Sequence, residues 1–291
     1  MGIMRFNYRS QALGHYVDIT VTIPTDNLSY FDPATETKPF HPNATSLRPV
    51  YKPGMKFQTV YLMHGGGDDD TLTYRYTNAE FFAERNCVML VTPNVTNSFG
   101  ADADYGKHYA TFISEELPVV IQSLFPSSPA REDNFIMGYA MGGNVALGNA
   151  IIRPERYAAC VDISGGIGFT VRSDLMVEEL KGDHFRSSFP LFVNTFGDPD
   201  KFIGSRHDLA AHIAHHRENG TELPKFTVIC GSKEFIRGRV EGDVAAMKEL
   251  GLDVDYIGAE GYDHDFKMWN EYVGVALDEI LPLKRSPIYP D

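Results

Sequence analysis

From Val17 to Ile23 the chain reads Val-Asp-Ile-Thr-Val-Thr-Ile, an apolar/polar alternation with the period of a half-buried strand, and it predicts an antiparallel edge. Further along, short apolar runs replace the alternation. The strand candidates there are Phe57–Met63, Cys87–Thr92, Phe135–Tyr139, Ala159–Ser164, Leu191–Phe196, Phe226–Cys230 and Val254–Ile257. Helical patterns fall between them, near Asn78–Arg85, Thr111–Leu124, Met141–Ile152, His207–Glu218, Gly242–Leu250 and Phe266–Leu281. Such a β/α alternation predicts a mostly parallel sheet with helices on both faces. In sheets of that kind ligands bind beyond the carboxyl ends of the strands, so chemistry is to be sought just after each strand.

Two segments interrupt the rhythm. From Pro24 to Pro53 the composition turns to Pro, Thr, Asn and Asp with scattered aromatics, so residues 24–56 read as a loop insertion within one domain spanning 1–291. Residues 165–189 exceed a minimal crossover and read as a small cap over the sheet edge. A third stretch, Asn134 to Ile152, carries no charge and is long enough to span a bilayer. Its glycines and asparagines instead suit a short strand, a turn and a small-residue helix.

The composition is that of a chain with a sizeable core: 43% of the 291 residues are hydrophobic and 22% charged. With 26 Lys and Arg against 39 Asp and Glu, the net charge of −13 argues against a nucleic-acid or anionic-membrane surface. A small neutral molecule or a glycan-linked one is the expected partner, and self-association is left open. Cys87, Cys160 and Cys230 are too few and too scattered for a disulfide framework or a metal knuckle, which fits a reducing cytoplasm. A mature secreted form would look the same. No cofactor is expected.

The sharpest motif comes directly after the strand at Phe135: Gly138-Tyr-Ala-Met-Gly-Gly143. Apart from Ala140 it is the G-x-S-x-G turn that lifts a serine hydroxyl above a sheet. A methyl group cannot attack a carbonyl, so the chain as written should lack nucleophilic catalysis by this route. Three readings of Ala140 are open: a chance glycine-rich turn, a naturally dead relative, or a substituted enzyme. After the strand at Phe57 comes His64-Gly-Gly-Gly67, a turn able to aim a backbone N–H at a developing oxyanion; Gly66 and Met141 are the two expected donors. His264, late in the chain, suits the general base. Glu234 is favoured as the acid that orients it, ahead of Asp198 and Asp200, while Asp263 and Asp265 adjoin the histidine too closely to reach its Nδ1. His207, His212, His215 and His216 are weaker base candidates in a polar helical context, and His212, His215 and His216, whose spacing could suggest metal, read as a solvated face. His64, Gly65, Tyr74, Phe99 and Tyr105 are the substrate-binding candidates.

These stretches, together with Tyr61–Gly66, Tyr105–Pro118, Arg131–Gly143, Arg153–Ala158, Cys230–Gly231 and His264–Trp269, resemble the tributyrin-esterase and S-formylglutathione-hydrolase-like branch of the α/β-hydrolases, which includes acetyl and feruloyl esterases. The resemblance implies an α/β-hydrolase fold and a serine carboxylesterase whose nucleophile falls on Ala140, base on His264 and acid on Glu234. The family's acid is usually aspartate, so Glu234 is one departure and Ala140 another. Since everything around position 140 keeps its catalytic form, a substituted, inactive enzyme is favoured over a natural non-catalytic binding or scaffold protein on the same fold.

Overall fold

The computed structural model describes residues 1–25, 51–183, 187 and 190–290. Its centre is one eight-stranded sheet in the order β1-β2-β4-β3-β5-β6-β7-β8. The strands are β1 Gly2–Arg9, β2 Tyr16–Ile23, β3 Thr59–Met63, β4 Met89–Pro93, β5 Asn134–Tyr139, β6 Ala159–Ile163, β7 Lys225–Gly231 and β8 Val254–Ala259. The β1/β2 and β2/β4 pairs are antiparallel, and all others are parallel.

The apolar runs are continuous because both faces of the sheet are covered. Along β3, Val60 and Leu62 enter one core while Tyr61 and Met63 enter the other, and Phe135, Ile136 and Met137 of β5 alternate in the same way. Each such side chain, fully withdrawn from water, contributes about 1.5–3 kcal/mol. Loss of a single one is therefore felt but not fatal.

The expected β/α alternation holds, with three differences. Leu191–Phe196 is a helix, Pro190–Phe196, and not a strand. Its apolar positions keep the helical period: Phe192 and Phe196, four apart, are buried with ring centroids 4.9 Å from each other, while Leu191 is half exposed. A six-residue stretch with four apolar positions does not distinguish the two periods. The alternating strand at Val17 is not the edge, because β1 pairs along its whole length. That strand left no signal since most of its residues are exposed. The helix expected at Gly242–Leu250 begins earlier, at Arg237–Glu249, where Gly238 and Gly242 obscure the pattern.

The uncharged stretch from Asn134 resolves into β5, a turn and the helix Met141–Ile152. No helix among the described residues is long and apolar enough to cross a membrane. The insertion at 24–56 lies largely outside the described residues, and of 165–189 the structure describes a helix at Ser173–Lys181.

What matters for the site is the order β4-β3-β5. The chain steps outward from β3 to β4 and then returns to β3's other side with β5. This reversal opens a crevice beyond the carboxyl ends of β3 and β5. The His64 glycine run leaves one of those ends and the Ala140 turn leaves the other.

Candidate active site

The turn after β5 is tight because glycine lets it be. A Cβ on Gly138 would stand 2.2 Å from the Gly142 carbonyl oxygen, and one on Gly142 would stand 2.1 Å from that of Met63. Any side chain at either position would push the helix off β3. The residue between them, Ala140, is thereby forced to φ 51° and ψ −127°, a backbone that a side chain rarely adopts. Its N–H donates to the Ile163 carbonyl at 2.9 Å, which ties the turn to β6. Met141 then starts the helix, so its N–H belongs to the first turn, whose donors have no partner within the helix.

The glycine run is held from beneath. The His64 ring is buried; its Nδ1 donates to the Gly65 carbonyl at 2.8 Å and its Nε2 accepts the Val95 N–H at 2.9 Å. Burial pushes its pKa down, which suits the neutral ring this pairing requires. From the far side, Asn97 Oδ1 accepts the Gly67 N–H at 2.6 Å. A Cβ on Gly66 would lie 4.0 Å from that of Met141, so the two expected oxyanion donors belong to adjacent residues across the crevice.

His264 lies just past β8, and Asp265 caps the helix Phe266–Val275 by accepting the Lys267 and Met268 N–H groups. The imidazole Nδ1 lies 2.6 Å from Glu234 Oε2. Glu234 is buried, and its other oxygen accepts the Gly231 N–H and the Ser164 hydroxyl, each at 2.7 Å. Burial pushes the carboxyl pKa up, but hydrogen bonds from His264, Gly231 and Ser164 outweigh it and the net direction is down. The carboxylate therefore stays ionised, as a group that orients an imidazole and stabilises its charged form must.

Ala140, Met141, Gly65, Gly66 and His264 line a single cavity of about 660 Å³, with Phe99, Ile167, Leu191, Phe235, Phe266 and Trp269 supplying apolar wall and Asp68 and Asn97 polar groups. Burial raises the Asp68 pKa. Phe235 is exposed and stands edge-on to His264, with ring centroids 5.5 Å apart.

Not every candidate from the sequence reaches this wall. Tyr74 is turned away, its hydroxyl 3.5 Å from Thr92, and Tyr105 is 78% exposed. Neither lines the cavity. His64 serves the turn from below and is likewise off the wall. Asp198 and Asp200 come after a helix rather than a strand; Asp198 caps a 3-10 turn and Asp200 pairs with Lys181, so neither carboxylate reaches His264. Asp263 accepts the His264 N–H rather than Nδ1. His212 and His216 bond to the Arg206 and Ile151 carbonyls, and His207 lies 3.3 Å from Asp104.

Ser164, Trp269, Asn97, Asp68 and Phe235 were not singled out by the sequence. Only Trp269 carried a signal, as the end of the stretch that begins at His264.

Known proteins share this chain's sequence pattern and its fold. The Esterase family profile matches residues 43–281. The chain belongs to that family. An acetyl esterase of Caldicellulosiruptor saccharolyticus is 28% identical over 258 residues, covering 80% of this chain and 90% of that protein. Among solved structures, the fluorophosphonate-binding serine hydrolase FphF of Staphylococcus aureus, substrate bound, superposes with a TM-score of 0.74 at 24% identity, covering 96% of this chain and 98% of that one. The S-formylglutathione hydrolase FrmB from Staphylococcus aureus gives 0.71 at 24% identity, with the same coverage. Those two likenesses establish the α/β-hydrolase fold. Family membership supports a carboxylic ester hydrolase.

Proposed function

We propose that this esterase site works by a serine–histidine–glutamate triad and that Ala140 leaves it able to bind a carboxylic ester without cleaving it. The observation that carries the reading is the His264–Glu234 pair at 2.6 Å on the wall of the same cavity as the strained Ala140 turn. With a serine at position 140, its Oγ attacks the ester carbonyl while His264 Nε2 takes the proton. The negative oxygen of the tetrahedral intermediate is held by the Met141 and Gly66 N–H groups. His264 returns the proton to the departing alcohol, and water, activated by the same imidazole, releases the acid from the acyl-enzyme.

The apolar wall suits short acyl, acetyl or feruloyl groups, in keeping with the acetyl esterase relative. The Ala140→Ser protein, assayed with p-nitrophenyl acetate, p-nitrophenyl butyrate and a feruloyl ester, should turn over at least one of them, and the chain as it stands none. A natural binding protein on this fold, the alternative reading of Ala140, predicts no gain above background with any of the three.

A further inference from the structure

We infer that Ser164, with Trp269 behind it, is a positioning residue that fixes the Glu234 carboxylate against His264. The inference rests on the triad proposed above. Ser164 directly follows β6, is 1% exposed, and holds φ 60°, the left-handed region that a side chain adopts only under strain. Its N–H donates to the Ile229 carbonyl at 2.8 Å, so the backbone is held by β7. The next residue is a glycine, Gly165, which would take such a conformation without strain, yet the kink sits on the serine.

The hydroxyl's direction is set by its neighbours. The indole Nε1 of Trp269 lies 3.1 Å from Ser164 Oγ and can only donate, so the serine's own proton is left for another acceptor. Two are near: Glu234 Oε1 at 2.7 Å and the Met268 sulfur, a weak acceptor, at 3.7 Å. The carboxylate takes it. Glu234 Oε1 thus accepts two hydrogen bonds, from Ser164 and Gly231, which leaves Oε2 to His264. A glutamate has one more side-chain torsion than an aspartate, and two donors on one oxygen are what stop the longer arm from rotating. The Trp269 ring also stands edge-on to the imidazole, with centroids 5.0 Å apart and planes at 89°. One tryptophan therefore sets the serine that holds the acid and packs against the base that the acid orients.

The first test needs no turnover. In the chain as it stands, the His264 Nδ1–H shared with Glu234 should give a downfield proton resonance that His264→Gln removes. Ser164→Ala should shift it upfield and broaden it. Ser164→Gly should do the same, and it keeps the fold in reach because glycine suits φ 60°. A resonance unmoved in both variants overturns the inference. In the Ala140→Ser protein, each change at 164 should lower kcat about tenfold, the scale of one hydrogen bond to a charged group, and leave KM within about twofold. An unchanged kcat also overturns it. Should the Ala140→Ser protein prove inactive, the proposed function fails, while the resonance still reads the Ser164 contact on its own.

Discussion

Ala140 and Ser164 each directly follow one of two neighbouring parallel strands, and both hold a positive φ, 51° and 60°, that glycine would adopt without strain. They differ in what the kink delivers. At Ser164 it aims a hydroxyl at the Glu234 carboxylate. At Ala140 it aims a methyl group into the cavity where a nucleophile would stand. The strained turn is present at a residue without a hydroxyl, since it is imposed by the close approach of Gly138 and Gly142 to their neighbours and by the tie to Ile163. Geometry and chemistry at position 140 are thus separable.

The largest effect is expected from placing a hydroxyl at position 140. Ala140→Ser should raise turnover of a short p-nitrophenyl ester by up to on the order of a millionfold, the loss seen when a comparable triad lacks its serine. Adding His264→Ala should erase that gain. Next in size, Glu234→Gln in the restored protein should lower kcat by on the order of ten thousandfold, the scale of an orienting acid replaced by its amide. Asp198→Asn should change it less than about twofold. A larger loss at Asp198 would show the acid to be misassigned.

The same carboxylate makes stability depend on pH. Folding lowers the Glu234 pKa below its unfolded value of about 4.3, so its contribution to stability is fully present above that pH and is lost as pH falls through the folded value. Glu234→Gln should therefore lower the urea midpoint at pH 7 and have less effect at pH 3. Equal losses at both would place the cost in packing instead. The smallest effect is expected from Ala140→Gly, which relieves the positive φ and should raise stability by about 1 kcal/mol or less by urea unfolding.

Much of the site is legible in the sequence, because the elbow and the glycine run are short local motifs whose backbone demands are written in glycine. Glu234 and His264, 30 residues apart, stand out because each lies just past the end of an apolar strand. That rule failed where the strand itself was misread: Asp198 and Asp200 stood as rivals only because Leu191–Phe196 looked like a strand. Ser164 was invisible for another reason. Its partners Glu234 and Trp269 lie 70 and 105 positions away, and a lone serine after an apolar run carries no pattern. Tyr74 and Tyr105 failed because aromatic type says nothing of which way a ring points.

The proposed function is that of an ester-cleaving pocket around a missing hydroxyl. Its most direct test is covalent: the Ala140→Ser protein is incubated with a fluorophosphonate, which phosphonylates only an activated serine, and its mass and peptides are read. One adduct is expected, on position 140, absent from the chain as it stands and lost again with His264→Ala. An unmodified position 140 in a folded protein would contradict it.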